Sequence, residues 1–318
     1  MADYTRLAPS PTGALHLGNA RTFLLNFLLA RTLNWRILCR IDDLDGPRVK
    51  PGADRDALDD LRFLGITWDV GPVYQSHRLE HYRAAAARLL EQGHAYPCTC
   101  SRAEVESAAS APHASDGATP YPGTCRGRYR SLDDARASGK PACLRFRFDA
   151  PPVAFHDQLH GDVRIDPTTL GDFPILKADG TPAYQLACAI DDAEDGITRI
   201  VRGDDLLDST PRQLAVQRAL RLPDHACRFY HLPLVVGPDG RRLAKRHGDT
   251  RIATYRQLGV TAGRLLRLLA RWSGIPWPHA RDPETADDLL PCFDPDRLPT
   301  RPTVFTDDDH RFLLGRHG

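Results

Sequence analysis

The sequence predicts an α/β fold in which a parallel sheet carries a nucleotide-binding loop. It opens with the pattern of a strand at residues 4–8, a Pro/Gly-rich loop at 9–18, a helix at 20–33 and a second strand at 35–41. Apolar side chains recur at helical spacing in the helix, and a separation of roughly 30 residues between the strands suits a parallel βαβ unit. The loop joins a strand to a helix, where free backbone N–H groups and the helix dipole attract phosphate.

Composition limits the classes of protein that the chain can belong to. Its 318 residues, 42% of them hydrophobic, suffice for one large or two modest folded domains. The net charge of +1 means that a nucleic-acid partner must be held by local basic patches. No secretory signal pattern and no long apolar run is present, so we expect a cytoplasmic protein outside the membrane. In that compartment its eight cysteines are expected to be thiols or metal ligands.

Further elements follow from periodicity and turn residues. Helices are predicted at 54–64 and 79–92, and an insertion rich in Ala, Ser, Pro and Gly at 101–123 with a short helix at 103–109. Alternating apolar residues then predict strands at 144–148, 153–156, 163–165 and 173–176. A turn at Gly180 precedes an apolar segment at 184–190.

The second half ends in a helical region. A helix is predicted at 211–220, with Ser209 or Thr210 as its N-cap, and then a strand at 232–236 that runs into a turn at 237–240. A basic loop at 241–247 and an amphipathic helix at 261–272 follow, whereas the Pro- and Asp-rich remainder is weakly patterned.

The loop after the first strand has side chains suited to phosphate. Gly13 and Gly18 permit close backbone approach, and His16 and Asn19 can donate hydrogen bonds to phosphate oxygens. An isolated His-x-Gly-Asn is usually only a turn, but the strand before it and the helix after it favour an anion site. This loop resembles the HIGH signature of class I aminoacyl-tRNA synthetases, and residues 6–13 together with 15–19 resemble the glutamyl and glutaminyl branch.

The basic loop adds a second resemblance. Residues 241–246 are similar to the KMSKS loop of the same enzymes in its Lys-Leu-Ser-Lys form, with Ala244 where the family often has Ser. The resemblance implies a Rossmann-like parallel sheet with both loops, a zinc-bearing α/β insertion and a C-terminal helical portion. The expected divisions are 1–97 and 171–240 for the two halves of the catalytic domain, 98–170 for the insertion and connecting strands, and 241–318 for the loop and helical region.

The resemblance also implies an amino-acid pocket for glutamate, whose carboxylates need guanidinium partners and whose ammonium needs an acid. Residues 40–45 are similar to the family's Arg-Ile-Glu-Asp-Thr-Asp, with Asp42 in the place of the glutamate. Without the resemblance, Arg202 would be read as a surface ion pair and Tyr184 as a half-buried core ring. The implied glutamate-binding residues are Arg6, Leu7, Ala8, Pro9, Ser10, Asp42, Tyr184 and Arg202. Those implied for ATP are His16, Gly18, Asn19 and Lys245, with His16 and Lys245 catalytic.

A cysteine cluster predicts a metal site. Cys98, Cys100 and Cys125 with Tyr121 offer three thiolates and one phenol, a set that satisfies tetrahedral Zn²⁺, although free thiols fit the spacing equally well. The cluster resembles the Cys-x-Cys and Tyr-x3-Cys site of the glutamyl-Q tRNA(Asp) synthetases. That likeness implies one structural zinc with Tyr121 as the fourth ligand, and His113 from the intervening loop is the alternative.

The chain length separates members of the family. The resemblance runs from about residue 4 to about residue 274, and we expect the remaining residues to be too few for the anticodon-binding domain of a full glutamyl-tRNA synthetase. In length and zinc pattern the chain resembles the glutamyl-Q tRNA(Asp) synthetases, and this resemblance implies tRNA-independent activation of L-glutamate with ATP and Mg²⁺. Transfer to the queuosine in the anticodon arm of tRNA(Asp) then follows, by an enzyme expected to be a monomer.

Three other functions stay open at this stage. The first is a truncated glutamyl-tRNA synthetase that charges tRNA(Glu), and the second is a non-catalytic, zinc-containing RNA-binding module. His16 and Lys245 argue against the second. A small-molecule nucleotidyltransferase is the third, and it leaves Arg6, Tyr184 and Arg202 without a role.

Overall fold

The computed structural model describes residues 3–11, 13–46, 49–101, 103–105, 120–149, 151–241, 243 and 248–315. Two candidate site residues, His113 and Lys245, lie outside these ranges, as do Ala244 and residues 106–109 of the predicted short helix. Within the described ranges no helix combines the length and apolar character that crossing a membrane requires.

A seven-stranded sheet organises the fold, and its order is β3-β2-β1-β9-β10-β6-β7. Its strands are β1 (Tyr4–Leu7), β2 (Arg36–Ile41), β3 (Val70–Tyr74), β6 (Val153–Asp157), β7 (Gly161–Ile165), β9 (Arg199–Gly203) and β10 (Arg228–Leu232). All neighbours are parallel except the β6–β7 pair at the edge. The chain order reverses between β1 and β9, and parallel α/β sheets bind ligands at such switch points, at the carboxyl ends of the strands.

The predicted βαβ unit is confirmed. Helix α1 (Leu17–Thr32) connects β1 to β2, which pair in parallel from Tyr4 opposite Arg36 to Leu7 opposite Cys39. The helix is buried along most of its length, and Asn26 on it fixes the first strand. The Asn26 amide donates to the Arg6 carbonyl at 2.9 Å and accepts from the Thr5 hydroxyl at 3.0 Å. These two hydrogen bonds fix α1 against the end of β1.

Helices cover both faces of the sheet. The others are α2 (Ala53–Phe63), α3 (Leu79–Glu91), α4 (Leu132–Arg136), α5 (Pro167–Leu170), α6 (Tyr184–Glu194), α7 (Ser209–Leu220), α8 (Ile252–Gln257), α9 (Ala262–Trp272) and α10 (Asp307–Leu313). Because strand side chains alternate, Ile37 packs with the cluster around α1 and α9, whereas Leu38 packs on the opposite face. The apolar segment predicted at 184–190 forms the first part of helix α6.

A smaller antiparallel sheet stands beside the large one. It consists of β4 (Ala95–Cys98), β5 (Cys143–Phe146) and β8 (Phe173–Leu176), in that order. Its apolar side chains share a core cluster with α3, α6 and α7. The cysteine cluster lies at the end of β4.

Two local predictions are wrong in detail. The strand predicted at 232–236 is two, because Pro233 separates β10 from the short β11 (Val235–Val236), which pairs with β12 (Thr303–Val304). Helix α7 starts at Ser209 itself, so neither Ser209 nor Thr210 is its N-cap. Their hydroxyls accept hydrogen bonds from Gln185 and Arg202 instead, at 3.0 and 2.7 Å.

Candidate functional site

A cavity of about 750 Å³ opens at the carboxyl ends of β1, β2 and β9, beside the switch point of the sheet. This volume is in the range of small-molecule sites. The predicted site residues that line it are Arg6, Ala8, Pro9, Ser10, His16, Gly18, Asn19, Asp42, Tyr184 and Arg202. Side chains separated by up to 196 positions in the chain therefore surround one space.

Among the described residues that were predicted to bind glutamate or ATP, Leu7 is the one that does not line the cavity. Leu7 is fully buried in the core cluster around α1, so its side chain is not available to a ligand. This placement follows from strand alternation, since its neighbour Arg6 faces the cavity. Lys245 lies outside the described residues. Described residues on either side of it in the chain, Leu243 and Arg251, do line the cavity.

The loop before α1 is attached to the segment that follows the basic loop. His16, at the N-cap position of α1, has its Nδ1 3.1 Å from the Thr250 hydroxyl. The backbone N–H of Leu17 donates to the Thr250 carbonyl at 2.9 Å, and that of Ile252 donates to the Leu15 carbonyl at 2.8 Å. These contacts hold residues 15–17, at the N-terminus of α1, against residues 250–252, which follow the basic loop in the chain.

A buried set of charges adjoins the cavity through Arg6, which lines it. Arg6 on β1 and Arg40 on β2 both donate to Asp192 Oδ1, at 3.2 and 2.7 Å. All three side chains are at most 4% exposed. Burial opposes ionisation of Asp192, but Arg6 and Arg40 hold the pKa of this carboxyl below its usual range. The carboxylate thus ties two parallel strands to α6.

Asp42 completes this set at the cavity wall. Its carboxylate accepts from Arg40 Nε at 2.7 Å and Arg40 Nη2 at 3.4 Å, and its side chain is 11% exposed. Burial raises the pKa of Asp42, while Arg40 opposes that shift. The contacts with Arg40 hold the Asp42 carboxyl group at the cavity wall. An acid in this position is what an ammonium group would bind.

Tyr184 and Arg202 line the same cavity from two different elements of the fold. Tyr184 is the first residue of α6 and is 38% exposed. Arg202, on β9, is 5% exposed and has partners on three nitrogens: His231 Nε2 at 3.0 Å, Gln213 Oε1 at 2.9 Å and Thr210 Oγ1 at 2.7 Å. Its guanidinium is therefore held in one orientation.

Sequence reasoning missed the residues that support this pocket. Asp191 is fully buried and accepts hydrogen bonds from Gln75 at 2.8 Å, Tyr82 at 2.8 Å and Arg78 at 2.9 Å. A signal was present, because two adjacent carboxylates, Asp191 and Asp192, interrupt an apolar helical run. His231 and Asp157 had no comparable signal, since they come from separate strands.

The predicted metal cluster does assemble. The sulfurs of Cys98, Cys100 and Cys125 lie within 4.8 Å of one another, and the Tyr121 hydroxyl lies 3.3 Å from the Cys98 sulfur and 3.4 Å from that of Cys100. In a tetrahedral site with Zn–S bonds of about 2.3 Å, sulfurs lie roughly 3.8 Å apart. Because three soft donors and an oxygen converge in a buried space, the cluster fits a zinc ion.

The surroundings of Cys98 favour its thiolate. The Cys143 thiol and the Tyr121 hydroxyl lower the pKa of Cys98 by hydrogen bonding, and Arg145 Nε lies 3.1 Å from its sulfur. The Arg145 guanidinium also lies 4.1 Å from the centre of the Tyr121 ring. A thiolate at this position is the form that a metal ion binds.

Known proteins resemble the chain over most of its length. The family model described as tRNA synthetases class I (E and Q), catalytic domain, matches residues 4–310. The glutamyl-Q tRNA(Asp) synthetase of Rhodopirellula baltica is 46% identical, over 95% of this chain and 96% of that protein. A protein of the same name from Symbiobacterium thermophilum is 47% identical, over 93% and 94%.

Longer synthetases are also similar. A glutamate–tRNA ligase from Legionella pneumophila is 40% identical, over 92% of this chain but 61% of that protein. The crystal structure of a glutamate tRNA ligase from Elizabethkingia meningosepticum superposes with a TM-score of 0.77 at 26% identity, covering 98% of this chain and 69% of the other. The chain therefore belongs to the class I tRNA synthetases of the glutamate and glutamine type, a family of ligases.

Proposed function

We propose that the protein activates L-glutamate with ATP in the absence of tRNA and then transfers it to the queuosine in the anticodon of tRNA(Asp). One observation carries the first half: the His16 loop and the guanidinium groups of Arg6 and Arg202 line a single cavity. The second half rests on relatives that are called glutamyl-Q tRNA(Asp) synthetases and match the chain over nearly its whole length.

The orientation of glutamate in the pocket depends on which of its two carboxylates reacts with ATP. In activation the α-carboxylate oxygen attacks the α-phosphorus of ATP, a P–O bond forms and pyrophosphate leaves. The reacting carboxylate must face ATP, so the guanidinium groups of Arg6 and Arg202 bind the other one. Asp42 takes the ammonium group, and Ala8, Pro9, Ser10 and Tyr184 complete the wall of the pocket.

The ATP site lies at the N-terminus of α1. The backbone there and the side chains of His16 and Asn19 donate hydrogen bonds to phosphate oxygens, and Gly18 allows close approach. Lys245 stabilises the charge that grows on the departing pyrophosphate. Mg²⁺ enters with ATP and neutralises phosphate charge. No protein nucleophile is required, because the substrate carboxylate is the nucleophile, and catalysis rests on positioning and charge stabilisation.

We further propose that Cys98, Cys100, Cys125 and Tyr121 hold one structural zinc ion. His113 remains the alternative fourth ligand. The ion would fix the segment between β4 and β5, which is rich in small and polar residues and has few apolar side chains for a core.

The first prediction concerns the RNA that receives glutamate. With ATP and radiolabelled glutamate, the protein is expected to label tRNA(Asp) that carries queuosine, and neither tRNA(Asp) without queuosine nor tRNA(Glu). A tRNA(Asp) that lacks its 3′-terminal adenosine is the control, because only labelling at the anticodon survives that removal. Labelled tRNA(Glu) would instead support a truncated glutamyl-tRNA synthetase, the alternative that the Legionella relative raises.

The second prediction concerns Lys245. The Lys245→Ala variant should lower the rate of glutamate-dependent ATP–pyrophosphate exchange at least tenfold, or about 1.4 kcal/mol of transition-state stabilisation, with little change in glutamate binding. Lys140→Ala is a matched control, since Lys140 is exposed, pairs with Glu104 at 2.7 Å and does not line the cavity. An unchanged rate in the Lys245 variant would refute its assigned role.

The third prediction concerns the metal. The purified protein should contain one zinc per chain by plasma mass spectrometry, and Cys98→Ser should lose it, because a hydroxyl is a poorer ligand for zinc than a thiolate. Cys227→Ser is the control, since Cys227 lies outside the cluster and should leave the zinc content unchanged. Wild-type protein free of zinc would end the proposal.

A further inference from the structure

Behind Arg202 lies a chain of buried polar groups that crosses three neighbouring strands. His231 on β10 is directly opposite Arg202 on β9, and Asp157 at the end of β6 is next to β10 on its other side. Arg202 Nε donates to His231 Nε2 at 3.0 Å, and His231 Nδ1 is 2.7 Å from Asp157 Oδ2. His231 and Asp157 are fully buried, and neither has a role in the proposed chemistry.

The geometry fixes the protonation of His231. Arg202 Nε can only donate, so His231 Nε2 must accept and carry no proton. The ring proton then lies on Nδ1, where it is donated to Asp157. Burial lowers the pKa of His231 and keeps the ring neutral, and Arg202 acts in the same direction while Asp157 opposes it. An imidazolium, or a ring with its proton on Nε2, would direct an N–H at the N–H of Arg202.

Asp157 is itself held by the backbone. Its Oδ1 accepts from the N–H groups of Leu159 and His160 at 2.9 and 3.0 Å, and its Oδ2 accepts from the His231 N–H at 3.1 Å. All these partners are donors, so a carboxylate fits the site. Burial opposes ionisation, but the hydrogen bonds from His231 and the turn hold the pKa of Asp157 below its usual range. The turn between β6 and β7 is thus connected to Arg202 through two side chains.

We propose that His231 and Asp157 are positioning residues that hold the Arg202 guanidinium in the orientation that binds the non-reacting carboxylate of the substrate. This inference rests on the proposed activation of glutamate. A guanidinium pairs with a carboxylate through two parallel N–H donors, so its plane decides the affinity. Arg202 would bind that carboxylate equally in the ground state and the transition state. Its misplacement should therefore raise the KM for glutamate and leave kcat nearly unchanged.

Two substitutions at one position separate orientation from simple stability. His231→Asn keeps an N–H toward Asp157 but does not reach Arg202, and the KM for glutamate in pyrophosphate exchange should rise at least tenfold with kcat within about threefold. His231→Gln places a carbonyl oxygen near the position of Nε2 and should recover most of that loss. His156→Asn, on the exposed side of β6, is the control and should match the wild type.

A spectroscopic measurement tests the same inference without a substitution at His231. In wild-type protein labelled with ¹⁵N-histidine, the nitrogen shifts of His231 should show Nδ1 protonated and Nε2 unprotonated. Asp157→Asn should reverse this tautomer, because an amide that faces so many donors must point its NH₂ group at one of them, and Nδ1 is the one that can become an acceptor. That variant should also raise the KM for glutamate.

The outcomes distinguish this inference from the proposed function. Wild-type protein without glutamate-dependent exchange would contradict the proposed function. Wild-type exchange with an unchanged KM in folded His231→Asn would overturn only the positioning role. A proton on Nε2 of wild-type His231 would overturn that role whatever the exchange assay gives, even if the variants fail to fold.

Discussion

The ion pairs of Asp192 are the constraint on which the rest of the site depends. One buried carboxylate accepts from Arg6 on β1 and from Arg40 on β2, so it links two strands to α6 behind the cavity that Arg6 lines. Breaking a buried pair by removing one partner typically costs about 3–5 kcal/mol, because the remaining charge is left without compensation. The Arg6 guanidinium that lines the pocket is therefore held in place by an interaction that also joins β1, β2 and α6.

Placement at the switch point explains how distant residues reach one cavity. The carboxyl ends of parallel strands lie along the same edge of the sheet. Arg6 on β1, Asp42 after β2 and Arg202 on β9 therefore meet at one cavity. The contacts of residues 15–17 with residues 250–252 then bring the phosphate loop against a segment far away in the chain. Among the described residues, the side chains proposed to bind glutamate and those of the phosphate loop already line one cavity without either substrate. Such preorganisation lowers the cost of reaching the transition state.

Local patterns in the sequence predicted much of this arrangement. The strand, loop and helix at the N-terminus, the parallel pairing of β1 with β2 and the convergence of Cys98, Cys100 and Cys125 follow from spacing or residue type. Features that depend on distant partners were not predictable. Ser209 and Thr210 look like helix caps, but their hydroxyls bind Gln185 and Arg202. The chain from Asp157 through His231 joins three strands, and no local pattern marks it.

We propose that a phosphate site and a guanidinium-lined pocket share one cavity and join glutamate to ATP. ATP–pyrophosphate exchange, measured with each of the twenty amino acids and without RNA, tests this most directly. We predict exchange with L-glutamate, and only background exchange with glutamine and aspartate. The Arg6 and Arg202 side of the pocket requires a carboxylate at the distance of the glutamate side chain. Exchange that is absent with glutamate, or that appears only when tRNA is added, would contradict it.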